Sequence, residues 1–414
     1  MSQCKISCEP HREWVKLPGL ASCASFKLGK QCVEISQLGY GSHNTIYQLH
    51  FSDSTVCAAS ITNWFPDFFF LQVKLSEIAT MQYLRSSPLY DIPIPEVYAW
   101  DLTFDNPAGA PYVLRELVVG KNLAEGFYSL SSSDQVRAAT ALAHVQAELS
   151  KPSEFNRLGS IYHEIAGGFS VGPLASATCG DDVGGEVAPP PKGPYSSLAE
   201  LWQARLERDT QCALSHWASS PDPVPEAHLR EFGGAVTMLK QLTKIFTPPA
   251  GLETLCIQHC DLAIRNVLFG DDFEIRGVID WEYATVAPLA CASRYPDPLG
   301  AEENESRASS LRSAYASCIA SMNPTHANLF IDSAPYVEFH KIAVGGFEMW
   351  LENLEWIKDV FWGLTTLDAD LVKQLRNGEK PLRVQEILRQ KRPRYGALDL
   401  SDWEARVKNE VIKK

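Results

Sequence analysis

The chain has 414 residues, 45% of them hydrophobic, and its 37 basic and 50 acidic side chains leave a net charge of −13. That length exceeds one ordinary domain and allows two lobes with sizeable cores, while the acidic balance argues against a general nucleic-acid or membrane-surface binder. No apolar run approaches the ~20 residues of a membrane span.

The N-terminal MSQCKISCEPHREW lacks the apolar core of a secretory signal, so a cytoplasmic protein is expected. Eleven cysteines, an odd number, suit reduced thiols better than a disulfide framework. Cys4, Cys8 and His11 look like half a metal site, but no second ligand pair follows at a useful spacing.

The first part of the chain, to about residue 117, reads as strands with one helix. Residues 38–47 give strand, glycine-rich turn, strand, with Gly39, Gly41 and Ser42 in the turn. Such glycines let main-chain N–H groups approach phosphate, although many plain hairpins carry the same pair. A third strand is expected over 56–62. A helix is expected over 76–85, where Ile78, Met81 and Leu84 fall at helical spacing and Glu77 lies early. Residues 92–98 form an extended, proline-rich link. Residues 111–118, PYVLRELV, read as a buried strand whose end would serve as a hinge.

The rest reads as mainly helical. Residues 132–149 carry Val136, Ala139, Leu142, Val145 and Leu149 on one face, with Ser132 and Gln135 as a capping pair. Residues 167–194, with Gly180 to Gly185 and three successive prolines, predict a long loop, poorly ordered or acting as a substrate flap. Helices are expected over 197–213 and 225–247, and over 337–362 with a break at Gly345-Gly346. The basic tail from Lys380 is at best an amphipathic helix.

Residues 257–284, IQHCDLAIRNVLFGDDFEIRGVIDWEYA, carry the most information. His259, Asp261 and Asn266 are spaced H-x-D-x-x-x-x-N, and Asp280 follows the apolar run Gly277-Val278-Ile279. Between them, Asn266 to Phe269 reads as a strand, residues 270–272 as a turn, and residues 273–279 as the return strand. A lone H-x-D tripeptide is common and usually marks a surface or capping pair. The four positions around one hairpin match what phosphoryl transfer needs. One carboxylate, Asp261, orients the acceptor, and an amide oxygen and a second carboxylate, Asn266 and Asp280, hold a magnesium ion. His259 reads as a structural residue that fixes the loop through a backbone hydrogen bond. Arg265 would reach phosphate or pair with Asp280 or Glu282. Cys260 has no orienting set of its own and reads as bland.

With Ile279-Asp280-Trp281-Glu282 the segment resembles the aminoglycoside phosphotransferase and choline kinase group, and within it the fungal phosphotransferase enzyme family. Asn44-Thr45-Ile46-Tyr47, Ser76 to Met81, Gly109-Ala110-Pro111-Tyr112, Gly159 to Tyr162, Gly172-Pro173-Leu174 and Gly193 to Ser197 look like that family's recurring blocks, in its order. The resemblance implies an α+β, bilobal protein-kinase-like fold. An N-terminal extension (1–30) would precede a β-rich nucleotide lobe (31–117) and a larger, mainly helical lobe (118–414). It also implies ATP and Mg as cofactors, with backbone groups near Glu116, Leu117 and Val118 pairing with adenine. The partners would be a nucleotide and a small-molecule acceptor with a hydroxyl or amine, in one version within fungal secondary metabolism. The acceptor pocket would lie in the larger lobe. There the mixed aromatic and acidic stretch Phe347 to Trp362 reads either as a cation-binding surface or, through Trp350, Leu354, Ile357 and Phe361, as a core face.

One position departs from the family. Kinase-like proteins carry a Lys or Arg on the third strand that contacts the phosphates and pairs with the helix glutamate. Here Ser60 stands in that place, and no Lys or Arg occurs between Gly39 and Lys74. Glu77 is therefore expected without its usual partner, with Lys74 the nearest substitute. The sequence leaves open a working phosphotransferase, a different enzyme on the same scaffold, and a pseudokinase-like binding protein. Oligomeric state is not legible.

Overall fold

The computed structural model describes residues 4–175, 193–299, 305–365 and 398–412. The N-terminal lobe is a six-stranded sheet with two helices. Strands β1 (Lys5–Ile6), β2 (Cys32–Tyr40), β3 (Asn44–Phe51), β4 (Val56–Thr62), β5 (Val97–Asp101) and β6 (Tyr112–Glu116) take the order β1-β2-β3-β4-β6-β5. Only the β1–β2 pair is parallel. The period of two sorts the side chains of β4 between two faces. Cys57, Ala59 and Ile61 join Tyr47, Leu49 and Leu114 in a core under helix α1 (Leu17–Leu28), and Ala58, Ser60 and Thr62 lie on the other face.

Helix α1 is the element the sequence did not disclose. Its LPGLASCASFKL buries small side chains, so no strong apolar period marks it, although Pro18 in its first turn and Gly29 at its end (φ 65°) are ordinary helix punctuation. A Cβ on Gly19 would stand 1.7 Å from Pro107 O, so only glycine permits this approach. The first thirty residues, expected as an extension, thus supply β1 and α1 to the sheet. Helix α2 (Leu71–Ser86) starts earlier than the expected 76–85, and Lys74 and Glu77 come to share it.

The second lobe is mainly helical and carries three small strand groups. They are β7 (Lys121–Asn122) beside the hairpin β11 (Val267–Phe269) and β12 (Ile275–Val278), the pair β8 (Ser160–His163) and β9 (Phe169–Gly172), and the antiparallel pair β10 (Leu255–Gln258) and β13 (Thr285–Pro288). Helix α3 (Ser132–Leu149) has the expected bounds, but its cap is one residue earlier: Ser131 accepts from the Asp134 N–H. Gln135, freed from that task, is buried and donates to Phe127 O at 2.7 Å.

Helices α4 (Leu198–Ser219) and α5 (Glu226–Ile245) pack with α8 (Leu329–Val344), α9 (Phe347–Glu352), α10 (Leu354–Thr365) and α11 (Ser401–Glu410) around Trp202, Phe232, Trp350 and Trp403. The short α6 (Leu289–Ala292) and α7 (Glu305–Met322) complete the lobe. The chain breaks as expected at Gly345-Gly346, where Gly346 has φ 88°. A further core unites the lobes, joining Ile78, Met81 and Val113 to Phe127, Leu142, Val267 and Trp281.

Most of the expected loop over 167–194 and of the basic tail, like the Trp362 side chain, lies outside the described residues. Among the described residues no helix is long and apolar enough to cross a membrane.

Candidate active site

The site is built where β10 ends. His259 follows directly, is 2% exposed, and its Nε2 donates to Ile279 O at 3.0 Å. Its ring packs on Trp281 with centroids 4.4 Å apart. Burial drives its pKa down to about 4, despite the hydrogen bond to Ile279, so the imidazole is neutral at physiological pH. It therefore ties the loop to the exit of β12, the structural task expected of it.

The chain then turns through Cys260 in a left-handed conformation (φ 64°) and leaves the Asp261 side chain about half exposed. One turn later Asn266, buried, donates its Nδ2 to both Asp261 O and Asp261 Oδ2, each at 2.8 Å. The Asn266 carbonyl accepts from Ile279 N at 2.9 Å. These bonds lock the start of the hairpin to its end and bring Asp280 to the same place.

Asp280 and Tyr283 are also left-handed, with φ 63° and 65°. Non-glycine residues in sparsely populated conformations cost on the order of 1–3 kcal/mol each and cluster at functional sites. The residue that makes this backbone pay is Trp281, fully buried, its Nε1 donating to Val278 O at 2.9 Å. With the indole committed inward, its neighbour Glu282 meets the N-terminal lobe at Asn44 and Lys74. Among the described residues no hydrogen bond or ion pair holds the Asp280 carboxylate. Burial and the negative charges of Glu282 and Glu77 raise its pKa to about 6, against the pull of Lys74 and Arg115.

Arg265 does not reach Asp280 or Glu282. It bridges Asp261 Oδ1 at 2.6 Å and Asp297 Oδ2 at 2.9 Å. The i,i+4 spacing from Asp261 through a single 3-10 turn carries it back along the loop, away from the hairpin exit. Its effect is to fix the rotamer of Asp261.

Glu282 collects donors from the opposite lobe. Asn44 Nδ2 bonds it at 2.6 Å, His43 Nδ1 at 3.0 Å, and Lys74 Nζ makes a third, close contact. Burial alone would raise its pKa, but Lys74 and the hydrogen bonds outweigh burial and hold the carboxyl far below the usual range. The hydrogen bond to Glu282 raises the His43 pKa in turn, against burial. The glycine-rich turn, where Gly41 N bonds Asn44 O at 2.9 Å and Asn63 Nδ2 bonds Gly41 O at 2.6 Å, thus folds down over the hairpin. Gly41 and Ser42 lie in it, whereas Gly39, expected in the turn, belongs to β2 and pairs with Ile46 beside a register shift.

Glu77 lacks a partner from β4, and the substitute the sequence offered, Lys74, pairs with it. Lys74 Nζ lies 2.8 Å from one of its oxygens and Arg115 Nη1 3.8 Å from the other. The sequence reading missed Arg115, His43 and Asn44, since each is polar on or beside a strand and only three-dimensional pairing brings it to the site. Ser60 is buried in β4 between Ile46 and Val113.

At the expected hinge, β6 ends at Glu116, whose N–H bonds Glu96 O at 2.8 Å and whose carboxylate accepts from Glu96 N at 3.1 Å. Leu117 and Val118 lead into the second lobe, where Val118 packs over Gly277 so closely that a Cβ there would meet it at 2.9 Å.

The aromatic stretch of α9 and α10 lies elsewhere. Trp350, Leu354, Ile357 and Phe361 are buried in the helical core, with Trp350 Nε1 donating to Ile342 O at 2.9 Å and its ring stacked on Phe232. That is the core face, not a cation-binding surface.

The chain is 24% identical over 312 residues to a subtelomeric hrmA-associated cluster protein of Aspergillus fumigatus, a match covering 64% of this chain and 60% of that one. The chain therefore spans less than two thirds of that curated relative. Among solved structures, the aminoglycoside phosphotransferase APH(4)-Ia is 12% identical, with a TM-score of 0.48 over 90% of this chain and 99% of that one. A putative fructosamine-3-kinase from Thermobifida fusca is 17% identical, with a TM-score of 0.42 over 80% and 98%. The sequence model of the phosphotransferase enzyme family, APH, matches residues 70–292, more than half of the chain and the whole stretch from Lys74 to Glu282, and the protein belongs to that family.

Proposed function

We propose that the protein is an ATP- and Mg-dependent phosphotransferase acting on a hydroxyl or amine of a small molecule. The observation that carries this reading is the convergence of Asp261, Asn266 and Asp280 at one hairpin, locked by the Asn266–Asp261 and Ile279–Asn266 hydrogen bonds. Family membership supports it independently.

The residues fit a magnesium ion bound with nucleotide. Asn266 spends its amide N–H groups on Asp261, which leaves Oδ1 as its group for a cation, and Asp280 is a carboxylate among other acids. Among the described residues no three His, Cys, Asp or Glu side chains form a metal-holding group. Magnesium commonly takes one or two carboxylates and completes its shell with phosphate and water, so a sparse protein set suits it. When bound, the metal would offset negative charge on the transferring phosphoryl group.

The remaining work falls to the chain. Asp261, oriented by Arg265 and Asn266, would accept the proton of the attacking hydroxyl or amine. The acceptor oxygen or nitrogen then bonds to the γ-phosphorus while the bond to the ADP oxygen breaks. The folded-down glycine turn would cover the phosphates, and Glu116 to Val118 would meet the adenine.

A binding protein without transfer remains the second reading, favoured by Ser60 alone. The deciding experiment measures melting temperature with ATP, with and without Mg, and ADP formation over a panel of hydroxyl and amine acceptors. A Mg-dependent shift with acceptor-stimulated ADP is expected. A shift without turnover on any acceptor favours the second reading, and no shift at millimolar nucleotide overturns the first.

A further inference from the structure

The cation missing from β4 has been replaced from a neighbouring element. Ala58 of β4 stands opposite Arg115 of β6, and Ser60 opposite Val113. Arg115 and Ser60 therefore share the sheet face turned away from α1, and diagonal cross-strand neighbours lie within reach of long side chains. On that face Arg115 extends to Glu77 at 3.8 Å. A lysine at position 60 would be directed into the same space. That space is already held by Lys74, which reaches Glu77 from within α2 at i,i+3 and contacts Glu282 as well.

The chemistry of the ammonium group adds a second argument. It has three donors and no acceptor. Two of the three are used, on Glu77 and on Glu282, so one N–H remains to be offered to a ligand. The ammonium contacts Glu282, two residues beyond Asp280, which brings it to the same end of the hairpin as the candidate metal site. Arg115 supplies Glu77 with a second cation, so Glu77 stays held if Lys74 leans toward a ligand.

We infer that Lys74, delivered from the helix, is the residue that contacts the nucleotide phosphates, and that Arg115 is the positioning residue that keeps Glu77 in place behind it. This rests on the nucleotide-dependent reading given above. Ser60 is then a consequence of the transfer, because a lysine at position 60 would be directed into the space that Lys74 fills beside Glu77 and would repel it.

The test is the affinity for MgATP, measured by titration calorimetry on the full chain, for wild type, Lys74→Met, Ser60→Lys and the double variant Ser60→Lys/Lys74→Met. Loss of one charge-assisted contact predicts a roughly ten- to hundredfold weaker affinity for Lys74→Met. Ser60→Lys alone gives no gain, and the double variant recovers most of the loss because its lysine reaches Glu77 from the strand. Removing a buried cation leaves Glu77 and Glu282 facing each other and endangers folding. Lys74→Met/Glu77→Met, which deletes both ends of one pair, is measured if the single variant does not fold, and the same loss is expected. Lys74 variants that bind MgATP as tightly as wild type overturn the inference while leaving the phosphotransferase reading intact. A wild-type protein with no affinity for MgATP overturns that reading, and this inference with it.

Discussion

Asn266 holds Asp261 at two points, donating Nδ2 to the main-chain carbonyl and to Oδ2, each at 2.8 Å. Arg265 takes the remaining carboxylate oxygen at 2.6 Å. The carboxylate that would address the acceptor is therefore oriented from both sides, while Asp280 stands at the other end of the hairpin. On the proposed reading the two acids would divide the labour by position, one toward the acceptor and the other toward the metal and nucleotide.

Asp261→Asn should follow that division. A general base contributes about 10²–10⁴-fold to rate, so ADP formation with a competent acceptor should fall by that order, with MgATP affinity nearly unchanged. Calorimetry and a coupled ADP assay on the same preparation measure both. A variant that loses nucleotide affinity, or keeps full turnover, contradicts the assignment.

Asp280 gives a pH signature. Its folded-state pKa is raised to about 6 from the ordinary 3.8, so the folded protein binds this proton more tightly than the unfolded chain. The resulting stability is present below about pH 3.8 and is lost as pH rises to about 6. Asn mimics the protonated form, so Asp280→Asn should raise the melting temperature of the ligand-free protein at pH 7 and leave it unchanged below pH 4. The same titration should weaken Mg-dependent nucleotide binding below pH 6 in wild type, an effect absent from the variant. A melting temperature at pH 7 that does not rise in Asp280→Asn would show that the carboxylate is not destabilised by its setting.

The candidate hairpin was legible because its residues are local in sequence. Asp261, Asn266 and Asp280 lie within one segment, and turn residues separate two short apolar runs. Helix α3 was legible because its apolar period is strong. What the sequence withheld depends on long-range pairing or on weak patterns. Arg115 and Glu77 meet only because β6 pairs with β4 and α2 lies across that face. His43 and Asn44 reach Glu282 from a turn more than two hundred residues away. Helix α1 hid behind alanine, serine and cysteine, and α2 starts five residues before the expected 76, although Lys74 was already legible as the nearest partner for Glu77. Arg265 was expected at the hairpin exit because that lies close in sequence, and the 3-10 turn sends it the other way.

Trp350 separates the two readings of the aromatic stretch. As a fully buried ring stacked on Phe232, it should cost about 3–5 kcal/mol of stability when truncated to Ala. Trp350→Phe, which keeps an aromatic ring but loses the bond to Ile342 O, should cost less. Neither change should alter which acceptors are used once the protein is folded, as read from denaturant midpoints and relative kcat/KM across an acceptor panel. A selective loss of cationic acceptors in Trp350→Phe at near-normal stability would restore the ligand-binding reading.

His259 predicts acid sensitivity of the opposite sign to Asp280. Its folded-state pKa is lowered to about 4 from 6.5, so between those values the unfolded chain binds the proton and the folded protein does not. Stability contributed by the neutral imidazole is therefore fully present above about pH 6.5 and is lost as pH falls toward 4. At 1.36 kcal/mol per unit the loss reaches about 3 kcal/mol. Buried His340, with its pKa also lowered to about 4, acts in the same direction and steepens the total. The share of His259 is isolated by the difference between wild type and His259→Gln. An amide cannot take up the proton, and its N–H can still donate to Ile279 O. The variant should be the less stable protein at pH 7, through imperfect packing on Trp281, and should lose less stability than wild type between pH 6.5 and 4.5. Urea unfolding at stepped pH measures this. Parallel stability curves for the two proteins would mean that His259 does not titrate as a buried neutral imidazole, and the link it makes between the catalytic loop and the hairpin exit would need another explanation.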